Sequence, residues 1–561
     1  MLASFMSVMQ PHRVLFIPEL LGIILSFVDE DDHVNNACVC KQWSEIALDI
    51  IWKEVDGLSR LLTLLRPYKI TGRYNFFDGL PDSRDWTRFQ RYANRVRILR
   101  FQQDTDIDYS GLLDDMARTR TTLDMLPNLH TLEWIYEDVD CMERATLFMH
   151  QRLRHLVISA PPLRHKDKVS FFVDVCVRAP HLHSLDLRVP YRVQHIETAI
   201  LELLRGLPDL KTIIFPEFFL TSSIVSELSR LKHINIVQFE YGHEQGFGEE
   251  KDVDVFAPVF EEGAFPALWD LAVTARIEHV MRFMNADFAP INLTSLYINT
   301  YVEHEPEELH TLLVMLSERC RGLSQLYILL AHYVAGESEL VPAKQITFNT
   351  LAPLLSFPNL GTFQVMHKYP VNITLEEIEE LACRWPSLES LTLNEEPLIM
   401  HDFTLDLRAL IPFALHCPKL RRLGLFIDAN PSNIPPMLEL KPFAALCFLS
   451  VGTSRAQDPE AVAAFLSHLC PPKCKLEVGV TWTSFGVRSC RLLDDYLRVE
   501  ITKRFHPWKS ARDILPILIQ LRREEREKSR ALQEEVEDLR TRTRLLMDKT
   551  DIKANDSCIV A

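Results

Sequence analysis

The sequence predicts an α/β chain: a small all-helical segment at the N terminus, a solenoid of one short parallel strand and one helix per repeat, and a charged helix towards the C terminus. Three observations carry that prediction. A leucine spelling recurs about every 29 residues through the middle of the chain. The apolar period is helical in the first sixty residues and again beyond residue 514. The length, 561 residues, exceeds what a single compact core accommodates.

Composition narrows the functional classes. Apolar residues make up 47% and charged residues 25%, which supplies a buried interior and excludes bulk disorder. The net charge of −16 disfavours polyanions unless a local basic patch outweighs it; the sequence shows no such patch, so no nucleic-acid partner is expected. Only 17 residues are glycine, and no phosphate-cradling glycine loop, H-E-x-x-H or G-x-S-x-G occurs, so no catalytic residue, cofactor or metal is expected. The 12 cysteines are scattered and read as reduced thiols. The apolar run from Val14 to Val28 contains Pro18 and Glu19 and lacks a basic start and a cleavage site, so it is not read as a signal peptide. A cytoplasmic or nuclear protein is expected.

The N-terminal elements come first. Leu21, Ile24, Leu25 and Val28 fall at i, i+3, i+4 and i+7, on one helical face. Pro18 suits a first turn, where its missing N–H costs nothing. Asp29 to Asp32 break the helix and start a second, which ends near Cys40; Trp43, Ile46, Ala47 and Ile50 repeat the spacing on a third. Three helices this short cannot bury all these side chains among themselves, so part of the apolar surface meets something else. The spelling Ile17-Pro18, Leu20-Leu21, Ile24, Val28, Val39-Cys40-Lys41-Gln42-Trp43 and Trp52 resembles the F-box. That resemblance implies docking on a Skp adaptor protein and, through it, on a cullin scaffold. The contact face it implies is Pro18, Leu20, Leu21, Ile24, Val39, Cys40, Trp43 and Trp52, with some of these serving as the trio's own core.

The repeat is L-x-x-L-x-Φ, with Φ apolar and often with Pro two residues ahead. It runs through Leu129, Leu153, Leu182, Leu210, Leu231, Leu268, Leu293, Leu323, Leu360, Leu388, Leu420 and Leu446, after a weaker forerunner at Val96. The last three positions alternate as a short strand, and helical patterns such as Leu375, Ile378, Leu381 and Ala382 lie between copies and stop before the prolines. No unit buries both faces without its neighbours. The pattern resembles the leucine-rich repeats that often follow an F-box, and looks most like the divergent F-box families of mushroom-forming fungi; the Asn that normally closes each strand is missing, with Pro190, Lys368 and Glu396 in or near its slot.

Repeats of this kind present the residue between the two apolar strand positions on the concave face. Asp186, Asn235, Tyr297, Tyr327, Gln364 and Thr392 are the candidate target-binding residues on that ground. A stretched repeat contains the acidic run from Glu240 to Asp254, read as a surface loop. His468, Cys470 and Cys474, with Cys490 further on, read as a capping turn and not as a zinc set. The sequons at Asn292, Asn372 and Asn555 are idle without a secretory route. From Ile514 to Met547 the composition is Arg, Glu, Leu and Lys; Leu518, Leu532, Leu539 and Leu546 keep a seven-residue step that fits a weak coiled coil or a solvated charged helix. The final Cys558-Ile559-Val560-Ala561 spells a prenylation box, so Cys558 is a candidate lipidation site and membrane attachment depends on it.

The expected boundaries are 15–55 for the F-box, 56–90 for a linker, 91–480 for the solenoid, 481–512 for a cap, 513–548 for the charged helix and 549–561 for a disordered tail. The expected function is target recognition in a Skp-cullin-F-box ubiquitin ligase, with an unidentified protein target held by the repeats. The alternative is a repeat scaffold, prenyl-anchored or free, with no part in ubiquitination.

Overall fold

A computed structural model describes residues 12–71, 74–102, 108–136, 139–159, 165–240, 245–246, 248–330, 341–400, 403–430, 440–481 and 495–556. The chain divides into two compact units, Met1–Leu293 and Thr294–Ala561.

The first unit opens with three helices, α1 (Pro18–Leu25), α2 (Glu30–Ala37) and α3 (Lys41–Ile51). Their core is Leu21, Leu25 and Ala47, against which Leu15, Val28, Trp43, Ile46 and Ile50 pack in part. Eight parallel strands follow in chain order: Glu54–Asp56, Ile98–Gln102, Thr131–Ile135, His155–Ser159, Ser184–Arg188, Thr212–Pro216, Ile236–Glu240 and Asp270–Thr274. The sheet therefore begins at the last residues of the segment expected to be F-box, since Val55 pairs with Leu99. The expected linker is folded: it holds the helix Ser59–Leu65, the hairpin of Tyr68–Thr71 with Tyr74–Phe77, and the helix Ser83–Ala93, whose start carries a capping box between Asp82 and Asp85.

Register follows the leucines. Leu99, Leu132, Leu156, Leu185 and Ile213 are successive Cα partners, and all are buried. Each contributes about 1.5–3 kcal/mol by leaving water. One copy is corrected. Ile213 pairs with Val237, so the strand frame there is Ile234-x-x-Val237-x-Phe239 and not the one starting at Leu231, which lies three residues earlier. Both frames are apolar, and the one that buries Val237 and Phe239 in the sheet wins.

The second unit has seven parallel strands: Ser295–Asn299, Gln325–Leu330, Thr362–His367, Ser390–Leu393, Arg422–Leu425, Phe448–Ser450 and Lys475–Glu477. Leu296, Leu326, Phe363, Leu391, Leu423, Leu449 and Leu476 form its buried row. Between strands the helix Leu375–Arg384 starts from a capping box of Thr374 with Glu377. The charged helix spans Asp495–Asp556, beginning inside the expected cap and continuing into the expected disordered tail. Cys558 and Cys490 lie outside the described residues.

Candidate functional site

The helical trio presents an apolar face to solvent. Ile23 is 56% exposed, Phe27 86%, Val39 60%, Leu20 38% and Ile24 39%, and Pro18 and Cys40 are exposed beside them. Such a concentration on one short segment marks a contact surface. The eight residues expected at this face divide. Pro18, Leu20, Ile24, Val39 and Cys40 lie on the surface, and Trp43 is half-buried against the trio's core. Leu21 and Trp52 are corrected to core positions. Leu21 is fully enclosed at the centre of the trio, and Trp52 packs against the Tyr92 ring, tilted with centroids 5.1 Å apart, and has the Arg60 guanidinium 4.3 Å above it. Exposed neighbours outside the expected contact face, Phe16, Ile17 and Phe27, extend it.

The trio is locked to the body of the first unit. Arg95 is ion-paired with both Glu45 and Asp49 of α3, and its Nη1 also donates to the Glu45 carbonyl at 2.9 Å. The guanidinium holds the Glu45 carboxyl below its ordinary range. A partner on the trio is thus fixed in orientation to the first strands.

The six target-facing candidates do not share one fate. In the first unit Asp186 is buried: Gln245 Nε2 donates to it at 2.7 Å and Arg188 at 3.3 Å. The described part of the acidic insertion folds back to do this, because Gly246 at φ 79° passes the Val189 carbonyl where a Cβ would lie at 2.0 Å. Asn235 is not in the strand centre at all. It precedes the strand, where its carbonyl accepts from Trp269 and Asp270 at 3.0 and 3.2 Å; Gln238 holds the expected place instead.

In the second unit the candidates come together. Tyr297, Tyr327, Gln364 and Thr392 are successive partners in one row, which continues through Gly424, Ser450 and Glu477. The two tyrosine rings stack at 6.1 Å. The row runs into a cleft of about 920 Å³ lined by Tyr327, Gln364, Thr392, Arg422 and two glutamates, Glu395 and Glu396. Those glutamates carry no signal in the sequence, because they follow the strand in a turn without apolar periodicity. Gly424 makes room for Glu395, since a Cβ there would come 3.1 Å from its carboxyl carbon. Burial raises Glu395 to about 7, and burial together with the charge of Glu395 raises Glu396 to about 8. Thr481 N donates to Glu396 at 2.7 Å, while Arg422 is engaged with Glu477 at 2.7 Å.

Among the described residues no three His, Cys, Asp or Glu side chains converge as a metal set. No described helix is long and apolar enough to cross a membrane.

Residues 18–57 match the F-box-like family. No curated protein matches the sequence. Solved structures similar to the chain include the Rad7 and Elc1 complex in yeast, at 13% identity and TM-score 0.33, covering 84% of this chain and 89% of that one. Another is the complex of TLR13 with ssRNA13, at 13% identity and TM-score 0.33, covering 70% of this chain and 55% of that one. A third is the leucine-rich repeat protein LegL7 from Legionella pneumophila, at 12% identity and TM-score 0.31, covering 52% of this chain and 90% of that one. The fold rests on the strand register and not on these likenesses. The chain carries an F-box-like domain at residues 18–57, set ahead of divergent leucine-rich repeats.

Proposed function

We propose that the chain is the target-recognition subunit of a Skp-cullin-F-box ubiquitin ligase. The exposed apolar face of the F-box-like trio, centred on Leu20, Ile24 and Phe27, supports the reading most directly. It suits a helix-in-groove contact with a Skp-type adaptor, in which a few buried apolar anchors carry most of the energy. The repeats hold a protein target, and ubiquitin transfer takes place on other subunits, so this chain contributes no catalytic group.

The test is co-purification of the full chain with a recombinant Skp-type adaptor, for wild type and for the double variant Leu20→Glu/Ile24→Glu. Both positions are solvent-exposed, so the variant keeps its melting temperature within a few degrees. The wild type is expected to retain the adaptor and the variant to lose it by at least about tenfold in affinity. A wild type that fails to retain the adaptor overturns the proposal.

A further inference from the structure

The basic residues of the first unit form no run in the sequence, and no basic patch is legible there. The strand register assembles one. The residue immediately before each of six consecutive strands is Lys53, Arg97, His130, Arg154, His183 and Lys211. Their alignment is enforced by the backbone: the Lys53 carbonyl accepts from the amides of Arg97 and Ile98, the Arg97 carbonyl from His130 and Thr131, and the pattern continues to Lys211, at 2.7 to 3.1 Å throughout. Strands lie about 4.8 Å apart, so six rungs form a ladder about 24 Å long at one edge of the sheet. His155, exposed at the head of its own strand, adds a ring 6.5 Å from His130.

The side chains feel one another. After burial, the charges of His155, Arg97 and Lys53 disfavour protonation of His130, and Lys211, Arg154 and His155 act alike on His183. Among the described residues Lys53, Arg97, Arg154 and Lys211 make no ion pair. Arg97 Nη1 donates to the carbonyls of Asn94 and Val96 at 2.8 and 3.2 Å, and Arg154 Nη1 to those of Gln151 and Leu153 at 2.8 and 3.1 Å. Two carboxylates act on the strip, Glu54 on His130 and Asp209 on His183, and each is also bonded elsewhere: Glu54 accepts from Arg100 at 3.0 Å, and Asp209 pairs with His181 at 2.8 Å. In a chain of net charge −16, four cations, Lys53, Arg97, Arg154 and Lys211, thus follow one line with two imidazoles between them, and an anionic partner is its complement.

We propose that the ladder of Lys53, Arg97, His130, Arg154, His183 and Lys211 is a docking strip for an extended, Asp- and Glu-rich segment of a protein partner. A strip of about 24 Å spans about seven extended residues. A nucleic acid would run on past the strip into the field of a strongly acidic protein, so a short acidic peptide is the better complement. The inference rests on the receptor reading only in calling that partner the target.

The test is fluorescence anisotropy of the full chain, without adaptor, at low salt. The probes are a labelled peptide of about ten residues alternating Glu and Ser, its Gln-for-Glu counterpart, and an oligothymidylate of equal charge. The Glu peptide is expected to bind at least about tenfold more tightly than either other probe and to weaken with added salt. Arg97→Glu/Arg154→Glu/Lys211→Glu is expected to lose at least about tenfold, while Lys528→Glu/Arg530→Glu/Arg540→Glu on the C-terminal helix changes affinity less than about twofold. Should the first reversal unfold the protein by circular dichroism, the Gln versions at the same three positions decide, with a loss of at least about threefold expected. Equal binding of the Glu and Gln peptides, an unchanged affinity in the ladder variant, or tightest binding of the oligothymidylate overturns the proposal. Because no adaptor is present, any of these outcomes leaves the adaptor experiment standing, and the reverse holds.

Discussion

Asn394 holds φ at 47° while fully enclosed, a left-handed conformation that costs most L residues about 1–2 kcal/mol. Both ends of its amide are used: Oδ1 accepts from His367 N at 3.0 Å and Nδ2 donates to the Tyr369 carbonyl at 2.6 Å. It stands immediately after Leu393, two residues ahead of the slot that the closing Asn of the repeat normally fills and that Glu396 holds here. Asn394→Ala leaves two buried backbone groups unpaired and adds strain, so a loss of about 2–4 kcal/mol is expected in urea unfolding. Asn394→Gly removes the strain but not the unpaired groups, and should lose about 1 kcal/mol less. Equal losses would show that strain plays no part. The neighbouring Glu395 and Glu396 make a second residue-scale prediction. Their folded values, about 7 and about 8, stand above the unfolded carboxyl value. The native state therefore keeps protons that the unfolded chain has released, and the contribution is full below the unfolded value and lost as pH rises through about 7 to 8. Melting temperatures at pH 5 and pH 8 should fall further apart in wild type than in Glu396→Gln; an identical fall would refute the assignment.

At the scale of elements, the C-terminal helix shows what periodicity reveals and what it hides. Its charged stretch is legible from the seven-residue step of Leu518, Leu532, Leu539 and Leu546. Its earlier part is not, because the residues that seat it bond to backbone. Arg504 donates to the carbonyls of Thr453 and Met400 at 3.1 and 2.7 Å, and Trp508 Nε1 to that of Ser454 at 3.0 Å. No spacing rule announces such partners, which belong to turns far away in sequence. Trp508 is fully buried, so Trp508→Ala should cost about 3–5 kcal/mol of docking and speed proteolytic cleavage near the start of the helix. Unchanged cleavage kinetics would mean that the helix is held by other contacts. The slip at Leu231 has a related cause. The stretch Leu231 to Phe239 offers two apolar frames three residues apart, and only pairing with Ile213 chooses between them.

Across the whole molecule, the repeat period is legible because leucines recur at nearly constant spacing, and it marks all but two of the strands in the parallel stacks. The two end strands, Glu54–Asp56 and Lys475–Glu477, have no repeat beyond them and so no spelling to extend. In a stack of repeats, stability is supplied by neighbours, and an end strand has one neighbour where an inner strand has two. Amide exchange should therefore be faster in Glu54–Asp56 than in His155–Ser159; the opposite order would place the fold's weak point elsewhere. Rows running across strands are illegible for a different reason. Their members sit one repeat apart and mean nothing until the sheet stacks them, which is why the tyrosine row is expected only residue by residue and the cationic edge not at all. That edge is built by carbonyls alone, and the side chain at each rung belongs to neither the apolar core nor the sheet bonding. Each repeat thus carries one letter that can be rewritten without disturbing the grammar of the fold, and a lineage could respell its whole recognition word, from Lys53 to Lys211, one repeat at a time.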